Sequence, residues 1–111
     1  MTARTQAGTL RGVSEWIYFL HPPRENFAAT MTEAEGAVFA EHFARLQRLL
    51  AEGTLVMAGP TLGPTNTGIA VIEAPDEAAA RQLMLDDPVV AKGVVRGELR
   101  PYRVSLLRGR D

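Results

Sequence analysis

Hydrophobic and polar positions follow two different periods along this chain. From Val13 to Leu20, VSEWIYFL crowds aromatic and β-branched side chains into a segment that HPPR closes with two prolines, the pattern of a strand with an abrupt stop. Trp16, Tyr18 and Leu20 share one parity and Ile17 and Phe19 the other, so both faces of this strand are apolar. ENFAATM has no usable period and reads as a loop whose Phe27 tucks under the domain. The period then becomes helical. Thr32 opens TEAE, a capping box with Glu35, and Val38, Phe39, His42, Phe43, Leu46, Leu49 and Leu50 fall on one arc of a helix that runs to about Ala51 and ends at Gly53.

Thr54 to Ala58 reads as a short strand halted by Gly59-Pro60, and TLGPTNTG as a turn-rich loop. Gly68 to Ala74, GIAVIEA, is the second strand of an antiparallel pair. Asp76 caps a helix through DEAAARQLML, with Ala79, Ala80, Leu83 and Met84 inward, and Pro88 stops it by Asp87. Asp87 in turn caps a short turn through PVVAKG, with proline at its first position. VVRGELRPYRVSLL is a strand interrupted by Pro101, at an edge or a bulge. The order is β-α-β-β-α-β, whose two-layer solution is an α+β, ferredoxin-like sandwich: a four-stranded antiparallel sheet with two helices on one face. Because WIYFL and GIAVI are apolar on both faces, the face away from the helices calls for cover, and a homodimer through that sheet face supplies it.

Composition narrows the function classes. The 111 residues make one domain, expected over 13–107 between a loose tail at 1–12 and a short one at 108–111. A formal charge of -1 provides no field for nucleic acid or an anionic membrane, so neither is expected as a partner. There is no cysteine, hence no disulfide, thiolate nucleophile or cysteine-held metal. The histidines and carboxylates show no close ligand spacing, and AGPTLGPTNTG lacks both the GxGxxG spacing and a GKT or GKS ending, so neither a metal nor a cofactor is called for. MTARTQAGTLRG has no apolar core of a secretory signal, and WIYFL is far short of a membrane span; a cytoplasmic location follows by default. Arg96, Arg100, Arg103, Arg108 and Arg110 give the C-terminal segment a basic skew that suits a solvated strand edge.

His42 stands near the middle of the first helix's apolar arc, where a hydrophobic side chain is the rule. One turn beyond Leu83, the inward stripe of the second helix arrives at Asp87. The two helices lie side by side in this fold, so a His–Asp contact is geometrically available, and burial of a carboxylate demands such a partner. Two readings stay open. In one, the pair transfers protons on a small organic molecule; in the other, it satisfies itself in a buried site while Asp87 serves as a helix cap. If a pocket exists, its rim is expected from His21 to Phe27 and from Thr61 to Gly68, with His21, Tyr18, Thr61 and Asn66 beside the histidine and TLGPTNTG as a mobile flap.

EHFARLQRLLAEGTLVMAGPT together with DEAAARQLMLDDPVVAKGVVRGELRPYRVSL resembles the YCII-related (YciI-like) family, over roughly Trp16 to Leu107. The resemblance implies a ferredoxin-like dimer whose sheets pack together, of the dimeric α+β barrel type. It places the family's shared histidine and aspartate on His42 and Asp87. It also implies kinship in fold with small enzymes that isomerise, dehalogenate or oxygenate aromatic compounds, and hence a lyase or isomerase that needs no cofactor. The N-terminal extension and the HPPRENF segment depart from the plainest members.

Overall fold

In the computed structural model, described over residues 14–109, β1 (Ser14–His21) runs up the middle of the sheet, as apolar side chains on both parities require. The expected N-terminal tail and the last two positions of the C-terminal one lie outside these residues. After β1 come α1 (Phe27–Thr30), α2 (Glu33–Glu52), β2 (Leu55–Pro60), β3 (Gly68–Ala74), α3 (Glu77–Leu85), α4 (Pro88–Ala91) and β4 (Arg96–Tyr102). The sheet order is β2-β3-β1-β4 and every neighbouring pair is antiparallel.

The register pairs Trp16 with Ile72, Tyr18 with Ala70 and Leu20 with Gly68, which puts these side chains on the face covered by the helices. Tyr18, Leu20, Ala70 and Ile72 join Leu46 and Leu49 of α2, Ala80 and Met84 of α3 and Val89 of α4 in one core. Ile17, Phe19, Ile69, Val71 and Met57 take the opposite face.

The expectation of a barrel is corrected by this topology. The sheet is open, with β2 and β4 as its two edges. Four strands, already packed on one face by helices, are too few to curl round and close on themselves. Both edges carry a proline, Pro60 at the end of β2 and Pro101 in β4, and β2 has a register shift between Leu55 and Met57, devices that blunt an edge.

Three local expectations also change. ENFAATM is not all loop: Asn26 adopts a left-handed backbone (φ 54) and its carbonyl accepts from the amides of Ala29 and Thr30, winding one helical turn too short to show a period. Phe27 is buried there as expected. The apolar arc of α2 is narrower than its sequence suggests. α2 packs on β2 and α4, so the buried stripe runs through His42, Leu46 and Leu49, while Phe43 (61% exposed) and Leu50 (56%) fall on its flank. β2 extends through Gly59-Pro60 rather than stopping before them, because Pro60 occupies its last position on an edge.

Caps delimit the helices where the sequence put them. The Thr32 hydroxyl accepts from the Glu35 amide at 3.1 Å while Glu35 Oε1 accepts from the Thr32 amide at 2.9 Å, and Gly53 closes α2 at φ 86. Glu35 has a second task. It receives both arms of the Arg24 guanidinium, Nη1 at 3.0 Å and Nη2 at 2.8 Å, and so ties the segment after β1 to the start of α2.

Gly97 sits where α3 and α4 come closest to β4; a Cβ there would stand 2.9 Å from Met84 Sδ and 3.3 Å from Val90 Cγ2. Gly97→Ala should therefore lower stability by about 1–3 kcal/mol, whereas Gly36→Ala, in open space on α2, should raise it by about 0.5–1 kcal/mol; denaturant midpoints measure both signs. The hydrogen bonds from Arg24, and after them from the Thr32 amide, hold the Glu35 carboxyl down to about 2 from its ordinary 4.5. As pH falls the unfolded chain takes up this proton first, so the contribution is complete above about pH 4.5 and disappears toward pH 2. Glu35→Gln should flatten the acid limb of a melting-temperature profile in that window.

Candidate functional site

α2 carries His42 one turn before Leu46 on its buried stripe, and the break between α3 and α4 brings Asp87 to meet it. Pro88 ends the α3 path and starts α4, with Asp87 as the N-cap: its side chain accepts from the Val89 amide at 3.2 Å. Asp87 is 0% exposed and His42 9%. His42 Nδ1 lies 2.8 Å from Oδ1 and 2.9 Å from Oδ2 of Asp87.

Tyr18 and Arg45 complete the cluster. Tyr18 Oη donates to Asp87 Oδ2 at 2.8 Å, and burial, followed by the charge and hydrogen bond of Asp87, pushes this phenol above its ordinary value, so it stays a neutral donor. Arg45 Nη2 donates to the Leu83 carbonyl at 2.9 Å, near the C-terminus of α3, and its Nη1 stands 3.9 Å from Asp87 Oδ2. With Tyr18 and Val89 as donors, a carboxylate accepts from His42 as well; neutral His42 then carries its proton on Nδ1 and its lone pair on Nε2. No described residue takes a hydrogen bond from or gives one to Nε2.

The ring also lines a cavity of about 370 Å³. Its walls are Leu20, Phe27, Met31, Phe39, Phe43, Leu46 and Val95, with Ala58 to Pro60 of the edge strand β2 and Gly68 to Ala70 at the start of β3. Phe39 sets its ring edge-on to His42, centroids 5.4 Å apart. Only two side chains among the lining residues carry a polar group, His42 and Asn66.

The residues expected beside the histidine are not all there. Tyr18 lies beneath His42, on Asp87, and is not part of the cavity wall. His21 has the parity of Ile17 and Phe19, so it points from the opposite sheet face, stacks near Phe19 and pairs with Glu98 at 2.8 Å, which lowers the Glu98 carboxyl. Asn66 lines the cavity, but its side chain is engaged in the loops: Oδ1 accepts from the Ala28 amide at 2.9 Å and Nδ2 donates to the carbonyls of Thr61 and Gly63 at 3.2 Å each. The Thr61 hydroxyl spans its own loop, donating to the Thr65 carbonyl and accepting from the Thr67 amide, both at 2.8 Å. With Asn26 N donating to the Pro64 carbonyl and Thr65 Oγ1 to Glu25, the expected flap is instead a cross-braced pair of loops. The interloop partners lie 38 or more positions apart in the chain, which leaves no local signal for them.

Arg45 is the residue that sequence reasoning missed. It sits one turn after His42 at the border of the arc, and a cation there reads as a solvated flank until α3 is seen to cover it. Among the described residues, no three of His, Cys, Asp or Glu are grouped to hold a metal ion, and no helix is long and apolar enough to cross a membrane.

No curated protein matches this chain. Among solved structures, the fold is similar to 5-chloro-2-hydroxyhydroquinone dehydrochlorinase (TftG) from Burkholderia phenoliruptrix AC1100, in complex with 2,5-dihydroxybenzoquinone. The TM-score is 0.60 and the identity 18%, over 79% of this chain and 93% of that one. The YCII-related domain matches residues 16–102, well over half of the sequence and both members of the buried pair, and the chain belongs to the YCII-related family.

Proposed function

We propose that this protein is a small enzyme that needs no cofactor and uses His42, oriented by Asp87, for proton transfer on a small cyclic or aromatic molecule held in the apolar cavity. The single observation behind the reading is the division of the imidazole: Nδ1 is bound to a fully buried carboxylate, while the same ring lines a ring-sized cavity with no other free polar side chain. In an elimination, Nε2 accepts a proton from the substrate, the released electron pair moves into the ring system, and the leaving group departs with its bonding pair. The imidazolium then gives its proton to solvent, so that the net change is loss of HX. In an isomerisation it returns the proton to another atom of the substrate. The name of the structurally similar dehydrochlorinase describes a reaction of the first kind, which lends that branch support as analogy of fold.

The cavity suits such a molecule. Its aromatic and aliphatic walls favour a flat apolar ring, and no charged side chain lines it, so an ionised substituent would lose hydration without compensation. The rival reading is a non-catalytic ligand-binding or accessory protein with a structural pair. The Asp87 contact to the Val89 amide favours that role for the aspartate, though it leaves Nε2 unused.

Assembly is the second part of the proposal. Ile17, Phe19 and Ile69 are only half-buried on the sheet face away from the helices, and Met57 beside them is 51% exposed. A second copy on this face would bury more than about 1,000 Å², the range of specific interfaces.

Two measurements test these points. Chloride release from 5-chloro-2-hydroxyhydroquinone is expected with the wild type and should fall by about 10²–10⁴ in His42→Gln, with a smaller loss in Asp87→Asn. Equal rates in wild type and His42→Gln would remove His42 from the chemistry, and absence of both release and any shift of the His42 ring resonances on adding the compound would favour the non-catalytic reading. Light scattering at micromolar protein should give a dimer mass; a clean monomer overturns the assembly.

A further inference from the structure

Arg45 Nη1 is buried without a hydrogen-bond partner among the described residues, although its sister nitrogen is fixed on the Leu83 carbonyl and Asp87 Oδ2 stands 3.9 Å away. An unmet N–H on a buried guanidinium is costly, and packing alone would be served better by an apolar side chain. What Arg45 brings is a full positive charge next to a fully buried carboxylate whose other partners are the Tyr18 hydroxyl and the Val89 amide, which bring only dipoles, and His42, which is charged only when it holds a second proton.

We infer that Arg45 is a positioning residue for the buried pair: its charge balances Asp87 so that the carboxylate stays ionised without drawing a second proton onto His42. The inference rests on reading His42 as the proton acceptor of the cavity. The reason is charge arithmetic. Without Arg45, the fully buried aspartate and a neutral imidazole together carry -1, and binding a proton brings that to zero; Asp87 and His42 would settle as an ion pair whose Nε2 is already protonated. With Arg45 the site starts at zero, and the same proton would leave it at +1. Nε2 thereby keeps its lone pair toward the cavity.

Other charged groups near the ring do not supply this balance. From β1 the site is faced by Tyr18, held neutral by burial and by Asp87. At the α2 and α4 surfaces, Glu41 and Lys92 pair with each other at 3.0 Å, both about half exposed, so their fields cancel and are screened. Asp86, beside Asp87 at the end of α3, is exposed and accepts from Gln82 Nε2.

The test is a pH titration of the full-length protein labelled with ¹⁵N-histidine, read at the His42 ring nitrogens, with His21→Asn used to assign the two histidines. Relative to wild type, Arg45→Gln, which keeps an amide donor for the Leu83 carbonyl, should bind the first proton of the pair at a pH about one unit higher. Arg45→Lys, which keeps the charge and loses the fork, should titrate with wild type. The inference is overturned if Arg45→Gln titrates with wild type, or if Arg45→Lys moves as far as Arg45→Gln; should Arg45→Gln not fold, Arg45→Met, which keeps the length without the charge, takes its place in both comparisons. Failure here leaves the turnover loss of His42→Gln intact. Conversely, a shifted titration together with full turnover by His42→Gln would uphold the electrostatics of Arg45 and remove the proton-transfer reading.

Discussion

A carboxylate cut off from water must find all its donors in the protein, and Asp87 finds them on three separate elements: Tyr18 on β1, His42 on α2, and the first turn of α4. Each contact depends on a different part of the chain being in register. Tyr18 reaches Asp87 only because β1 turns that parity toward the helices, His42 only because it occupies the buried stripe of α2, and Asp87 itself only because Pro88 restarts the helix at that point. The helix layer and the sheet are thus joined by a polar centre inside an otherwise hydrocarbon core, where a misplaced strand would leave a charge unmet.

That polar centre ends at the cavity. The aromatic ring of Phe39 and the apolar walls keep the dielectric low around the outward face of His42, which strengthens any hydrogen bond made to it by a molecule inside. Water-exposed chemistry would not need such surroundings. The other polar side chain on the cavity wall, Asn66, holds loop to loop, so the cavity is defined by shape more than by hydrogen-bonding groups.

Much of this architecture could be read from residue order. The continuous apolar run WIYFL closed by HPP, the TEAE capping box, the Asp76 cap and the DDP break are local signals, and each produced its element within a residue or two. His42 and Asp87 were visible because polar residues interrupted apolar stripes. Arg45 was hidden for the opposite reason, since an arginine beside a stripe fits its surroundings without remark, and Tyr18, expected at the rim, has a different place on Asp87; their contacts lie 38 and 69 positions away. Parity was the missing step for His21, because counting on by two from Phe19 assigns it to the far sheet face. The extent of cover over α2 and the openness of the sheet depend on how elements assemble, which periodicity does not encode.

The wall of the cavity contributed by residues 22–31 is fastened at its ends, by the Arg24 fork on Glu35 and by the contacts of Asn26 and Ala28 with the loop that follows β2. None of those fasteners touches His42, Asp87, Tyr18 or Arg45. The molecule is therefore modular in a useful sense: apart from Phe27 and Met31, which pack in the core, the segment that walls the cavity can be re-sequenced as a cassette, while the buried His42–Asp87 cluster beneath keeps its own supports. A designer seeking a new ligand would begin with that cassette and leave the helices alone.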